Sequence, residues 1–235
     1  PFAIPPDLSG AVAININALT YKGSSIREFK ISASMAGGVV TVEKVAARLP
    51  GGAAFDVVGT VASAEGLPMF EGAVRASADN LRRLLSWVGV DLKAIPQDRL
   101  RKASLSATIR GTPELLEVYG IDLRLDSSTL VGGAAYAFRA RPAFSVDFAI
   151  DQLNVDAYRL APGDRAAAPD QSSRAKTKPA GPQLTALPSD LVEILNAFDA
   201  NFKVAVKKLY LNAVQIKGVV VDVGLLGGVI TVNDI

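Results

Sequence analysis

Residues 12–45 (VAININALTYKGSSIREFKISASMAGGVVTVEKV) and residues 202–235 (FKVAVKKLYLNAVQIKGVVVDVGLLGGVITVNDI) follow one pattern without a gap, 190 positions apart. Apolar residues keep step: Val12 with Phe202, Ile14 with Val204, Ile16 with Val206, Leu19 with Leu209, Ile26 with Ile216. The match runs through Phe29/Val219, Ile31/Val221 and Met35/Leu225 into a shared Gly pair, Gly37-Gly38 and Gly227-Gly228. It closes on Val-Val-Thr-Val against Val-Ile-Thr-Val. Apolar residues at alternate positions mark a strand with one covered face. Each copy therefore predicts three successive strands, turning near Gly23 or Ala213 and again at the Gly pair. A unit that recurs is a unit of building, and here it builds a sheet.

Outward from the repeats the reading is strand after strand. Phe55, Val57 and Val61 alternate up to a turn at Glu65-Gly66, and residues 70–76 return. Leu105, Ala107 and Ile109 alternate with Ser104, Ser106, Thr108 and Arg110. Further strands fall at 115–125, 130–139 and 143–150. In the last, Phe144, Val146, Phe148 and Ile150 face one way, with Ser145, Asp147 and Asp151 on the other. Turns are expected at Gly51-Gly52, Gly111-Thr112-Pro113, Ser127-Ser128 and Arg141-Pro142. Connections this short require antiparallel pairing, because parallel neighbours need a longer crossover.

Two helices interrupt. Asp79 is the expected N-cap of a helix with the stripe Leu81, Leu84, Leu85 and Val88, ending at Gly89. Trp87 lies near that stripe and reads as a core or rim aromatic. Ser189 caps a second helix with Leu191, Ile194, Leu195 and Phe198 at helical spacing. Three regions result: a β module over 1–160 with one internal helix, a linker over 161–187, and a helix plus the second repeat over 188–235, continuing the same sheet. The linker is rich in Ala, Pro, Ser and charge and reads as flexible. Its Arg165, Arg174, Lys176 and Lys178 read as solvated charge, with anionic headgroups as the other reading.

Composition narrows function. Apolar residues make up 49% of the chain and aromatics only 6%, so aliphatic side chains carry the burial. The formal charge is +2, from 25 basic and 23 acidic residues, which argues against a nucleic-acid partner. The chain has no cysteine and no histidine. That removes Ser-His and Cys-His nucleophile systems and the common zinc sites, and no cofactor or metal is expected. No run of eighteen apolar residues could cross a membrane as a helix. The chain opens on Pro1 with no targeting segment, and reads as cut from something longer.

The fold class expected is mainly β: a large curved antiparallel sheet, a groove or open barrel, of repeated strand modules with two short capping helices. About a dozen strands spaced about 4.8 Å apart make a sheet on the order of 50 Å wide, with strands about 30 Å long. One face is apolar and must be covered. Two short helices cannot do that, so the sheet must curl, close, or leave a trough. A lipid acyl chain fits such a trough, at about 0.8 kcal/mol per buried CH₂. The residues expected to touch it are Val12, Ile14, Ile16, Phe29, Ile31, Val40, Val42, Phe55, Val57, Val74, Leu105, Ile109, Phe144, Val146, Phe148, Ile150, Val204, Val206, Val221 and Val223. They are equally the core of any β fold.

Several stretches resemble the AsmA family of Gram-negative envelope proteins, which includes TamB-like proteins. They are Leu-x-Tyr-x-Gly at 19–23, ARLPGGA at 47–53, GTVAS at 59–63 and FEGAVRASADNLRRLLSWVG at 70–89, followed by LDSSTLVGGAAYAF at 125–138 and IDQLNVDAYRL at 150–160. The resemblance spans nearly the whole chain except the linker. It implies a periplasmic protein anchored to the inner membrane through a segment not in this sequence, with a hydrophobic groove carrying phospholipid toward the outer membrane. It supplies no catalytic residue, and no enzymatic activity is expected. Three readings stand: a lipid-conducting groove, an assembly module whose open edges pair with envelope proteins, and a carboxylate glycosidase. The glycosidase would use a pair drawn from Asp122, Asp126, Asp147, Asp151 and Asp156, which otherwise read as a solvent-facing row or as turn caps.

Overall fold

The computed structural model describes residues 2–159 and 197–234. Thirteen strands and one α-helix make up the described structure: β1 (Gly10–Tyr21), β2 (Ser24–Ala36), β3 (Val39–Leu49), β4 (Ala53–Ala64), β5 (Leu67–Ala78), α1 (Leu81–Val88), β6 (Ala103–Gly111), β7 (Leu115–Leu125), β8 (Ser128–Ala137), β9 (Ala143–Ile150), β10 (Leu153–Asn154), β11 (Asp199–Leu211), β12 (Val214–Leu226) and β13 (Val229–Asp234). All thirteen strands belong to one sheet, which is mainly antiparallel and not closed. Along the sheet the order is the chain order, β1 through β9 and then β11 through β13, with the two-residue β10 also set beside β11. Among the described residues the free edges are β1 and β13.

The repeat is exact in register. Val12 faces Ala33 and Phe202 faces Val223; Ile16 faces Phe29 and Val206 faces Val219. Both copies share a backbone kink, at Glu28 (φ 52°) and Gly218 (φ 70°), where the ladder skips one pair. The Lys22-Gly23, Gly37-Gly38, Asn212-Ala213 and Gly227-Gly228 turns have positive φ at both central residues, matching the right-handed twist of the flanking strands.

One junction departs from the antiparallel expectation. β9 and β11 run parallel, Phe144 facing Ala200 and Ile150 facing Val206. Residues 151–198 separate them, long enough for the crossover a parallel pair requires, so the short-loop argument does not apply there. Two smaller corrections concern the ends of elements. Asn80, not Asp79, caps α1, its side chain accepting from the Arg83 N–H at 3.1 Å. The β7–β8 turn is Asp126-Ser127, with Ser128 already in β8. One α-helix is described, not two: the proposed linker from residue 161 and the second helix as far as residue 196 lie outside the described residues.

The sheet curls. α1 follows β5, yet Trp87 Nε1 donates to the Tyr21 carbonyl at the end of β1 (3.1 Å), and the two rings meet edge to face at 6.0 Å. In a flat sheet β1 and β5 would stand four strand spacings, about 19 Å, apart. At the opposite end the Phe2 N–H donates to the Gly66 carbonyl in the β4–β5 turn, and Ser63 Oγ donates to the Phe2 carbonyl. Residues 2–9 thus cross one mouth of the curl and α1 crosses the other.

Candidate functional site

Directly facing residues in neighbouring strands point to the same side of a sheet, so the registers sort every side chain. One row crosses all twelve long strands without interruption: Val12, Ala33, Val42, Gly59, Gly72, Ile109, Val118, Ala134, Val146, Phe202, Val223 and Val232. No member is polar. Two residues along lies a second row containing Met35, Val40, Val61, Phe70, Leu116, Tyr136, Phe144, Leu225 and Ile230. Two residues the other way lie Ile14, Ile31, Val45, Val57, Val74 and Ala107, resumed beyond a bulge in β7 by Ile121, Gly132, Phe148, Val204 and Val221. The fourth row holds Ile16 with Phe29, then Phe55, Ala76, Leu105, Leu123, Leu130, Ile150, Val206 and Val219.

All twenty residues singled out from the sequence fall on these four rows, on one face. Only Val206 is buried; the other nineteen stay half-buried or exposed, Val12 at 49% and Ile14 at 43%. Among the described residues no large side chain is fully buried. The twenty leave out Met35 and Phe202, which the repeat already sets in step with its apolar positions, and Phe70, Val118, Leu130 and Tyr136, which become visible once one knows which residues face each other. The Phe70 ring packs over the facing Gly59 and Gly72: a Cβ on Gly72 would stand 2.3 Å from the Val58 carbonyl oxygen and 2.6 Å from the Phe70 ring. Near the parallel junction, Phe144 stacks against Phe198 and Phe202, both centroids at 5.1 Å.

The opposite face is charged over its first half. Arg110 bridges Glu71 at 3.2 Å, the Tyr119 hydroxyl donates to the same Glu71, and Arg48 pairs with Glu28 at 2.9 Å. Ser32 and Ser34 donate to Glu43 in a β3 bulge, holding its carboxyl below the usual range. The Glu28 carboxyl is likewise lowered, chiefly by its hydrogen bond from Arg48.

The carboxylates at the sheet ends are tied to structure. Asp156 accepts the N–H groups of Ala213 and Asn212, both 2.8 Å, and these hold its carboxyl below the ordinary value. Asp151 accepts from the Thr129 and Gln152 N–H groups. Asp126 is partly desolvated, which alone would raise it, but the N–H groups of Arg101 and Leu100 and the Tyr158 hydroxyl outweigh that and lower it. Tyr158 is correspondingly pushed up to about 12, by burial first and then by Asp126. Asp122 lies 3.5 Å from Arg124, and Asp147 is exposed beside Lys203. Among the described residues no three carboxylates gather as a metal site would need. A depression of about 910 Å³ lies off the trough, between α1 and residues 90–98. The Arg82 guanidinium in its wall is engaged by the carbonyls of Leu92, Ile95 and Pro96.

No described helix is long and apolar enough to cross a membrane. No protein family, no curated protein and no solved structure matches this chain.

Proposed function

We propose that the trough binds phospholipid by its acyl chains and conducts it between the inner and outer membranes, with the chain lying in the periplasm and anchored to the inner membrane as the AsmA resemblance implies. The observation that carries this reading is the unbroken apolar row across twelve strands, flanked by three more, on a sheet that does not close. An acyl chain of about sixteen carbons would gain on the order of 10 kcal/mol from such a surface. It needs no polar group placed for it, and among the named row members only Tyr136 carries one. The turn-capping roles of Asp126, Asp151 and Asp156 leave no free carboxylate pair among them for hydrolysis, which favours transfer over catalysis.

The free edges at β1 and β13 favour a second role, in which neighbouring envelope proteins add strands to the sheet. Mass spectrometry of organic extracts from protein purified without detergent tests the first. Phospholipid is expected at about one molecule or more per chain. Lipid-free protein with an unchanged circular dichroism spectrum would refute the lipid reading. Photo-crosslinkers placed on the apolar rows separate the roles, labelling lipid in the first and only protein in the second.

A further inference from the structure

The molecule contains an internal comparison for its first edge. β1 and β11 are copies, each paired with the next strand in the same register and kinked at the same place. β11 carries β9 on its other side, in parallel; among the described residues β1 carries nothing there. The exposure of matched side chains follows. Val206, facing Ile150 of β9, is 7% exposed, while its counterpart Ile16 is 37% exposed. Ile14 is exposed where Val204 is half-buried.

Among the described residues none covers this edge. From β1 they lead back across the sheet, Ile4 passing over Gly38 and Phe2 reaching Gly66. At the other end Trp87 already occupies the Tyr21 carbonyl. The stretch left open is the one β9 fills in the second copy.

We infer that the free edge of β1 docks a β-strand of a protein partner, added in parallel, in the register with which β9 meets β11. The partner segment is extended, about eight residues long as β9 is, with apolar side chains at alternate positions facing Gly10, Val12, Ile14 and Ile16. Those side chains prolong the four apolar rows by one strand. On the other face β1 offers Ala11, Ala13 and Asn15, where β11 offers Lys203 beside Asp147. Selection therefore rests on backbone pairing and apolar alternation, with no charge match required. β13 of a second copy runs in the suitable direction but is six residues long, shorter than the opening. The inference does not depend on what fills the trough.

The chain has no cysteine, so thiols can be placed at will. A peptide of residues 142–152 carrying Asp147→Cys stands in for the partner strand and is incubated with Ala11→Cys, Ala13→Cys or Asn15→Cys protein. By equivalence, Ser145 belongs opposite Ala11, Asp147 opposite Ala13 and Ala149 opposite Asn15. Disulfide formation is expected at least tenfold faster with Ala13→Cys than with the other two, and excess unmodified peptide should slow it. Equal rates, preference for another position, or no reaction overturns the proposal. So does head-to-tail crosslinking of the Ala11→Cys/Thr231→Cys protein to itself without peptide, which would make a second copy the occupant.

Discussion

Ala213 sits at φ 61° in the second central position of the β11–β12 turn, where the first copy has Gly23 at φ 70°. The left-handed region brings a Cβ against the backbone at a cost of about 1–2 kcal/mol, which glycine avoids. Glycine in turn has more freedom to lose on folding, about 0.4–1 kcal/mol. The difference predicts that Ala213→Gly stabilises the protein by about 0.5–1 kcal/mol and that Gly23→Ala destabilises it by a similar amount. Thermal midpoints should move apart by about 2–4 °C for each kcal/mol at this size. Nothing lies within 4 Å of a Cβ built on Gly23, so the effect is backbone strain alone. A Gly23→Ala protein as stable as the parent would show that the turn relaxes without cost.

Between elements, the contacts that fix the sheet ends are carboxylates on backbone N–H groups. Asp156 joins the turn after β10 to the β11–β12 hairpin, and Asp126 joins the β7–β8 turn to the strand-entering residues Leu100 and Arg101. Asp199 accepts from Gly227 in the β12–β13 turn and from Arg139 and Arg141, the latter at 2.7 Å. All three carboxyls are lowered in the folded protein. A lowered group stabilises fully above its unfolded value and loses that contribution as pH falls through its folded value. Thermal stability should therefore be flat with respect to these groups from about pH 7 to about pH 5, then fall below about pH 4. Asp156→Ala should start less stable and lose less on acidification; a parallel acid slope in parent and variant would contradict the capping role. These elements also show what the sequence made legible. Strands announced themselves by alternation and hairpins by Gly pairs, because both signals are local. The parallel β9–β11 pairing did not, since it joins segments separated by residues 151–198 and no local pattern records which strand a returning chain meets. The caps were half legible: Asp126, Asp151 and Asp156 follow strands, but a turn's N–H groups select a carboxylate only once the partner hairpin is placed.

Across the whole molecule the two faces of the sheet are chemically different, and that contrast is open to test. Val146 belongs to the row that crosses twelve strands, between Ala134 and Phe202. Val131 lies in β8 on the opposite face, between Asp122 and Ala149, and is 44% exposed. Both are valines in neighbouring central strands, Val146 half-buried and Val131 exposed opposite Asp122, so each variant's circular dichroism spectrum and thermal midpoint are read beside its lipid content. Only at Val146 would a carboxylate stand among hydrocarbon in an occupied trough, where a charge must be neutralised or left without water. Val146→Asp is thus expected to reduce phospholipid recovered with the protein at least tenfold, and Val131→Asp to leave it within twofold of the parent. Matching losses in the two variants would mean that lipid recovery reports fold integrity and not the trough. Matching retention would place any bound lipid elsewhere on the sheet. Ile14→Asp extends the comparison to β1: loss there as well would mean that occupancy needs the trough from its first strand to its middle, as conduction along it demands.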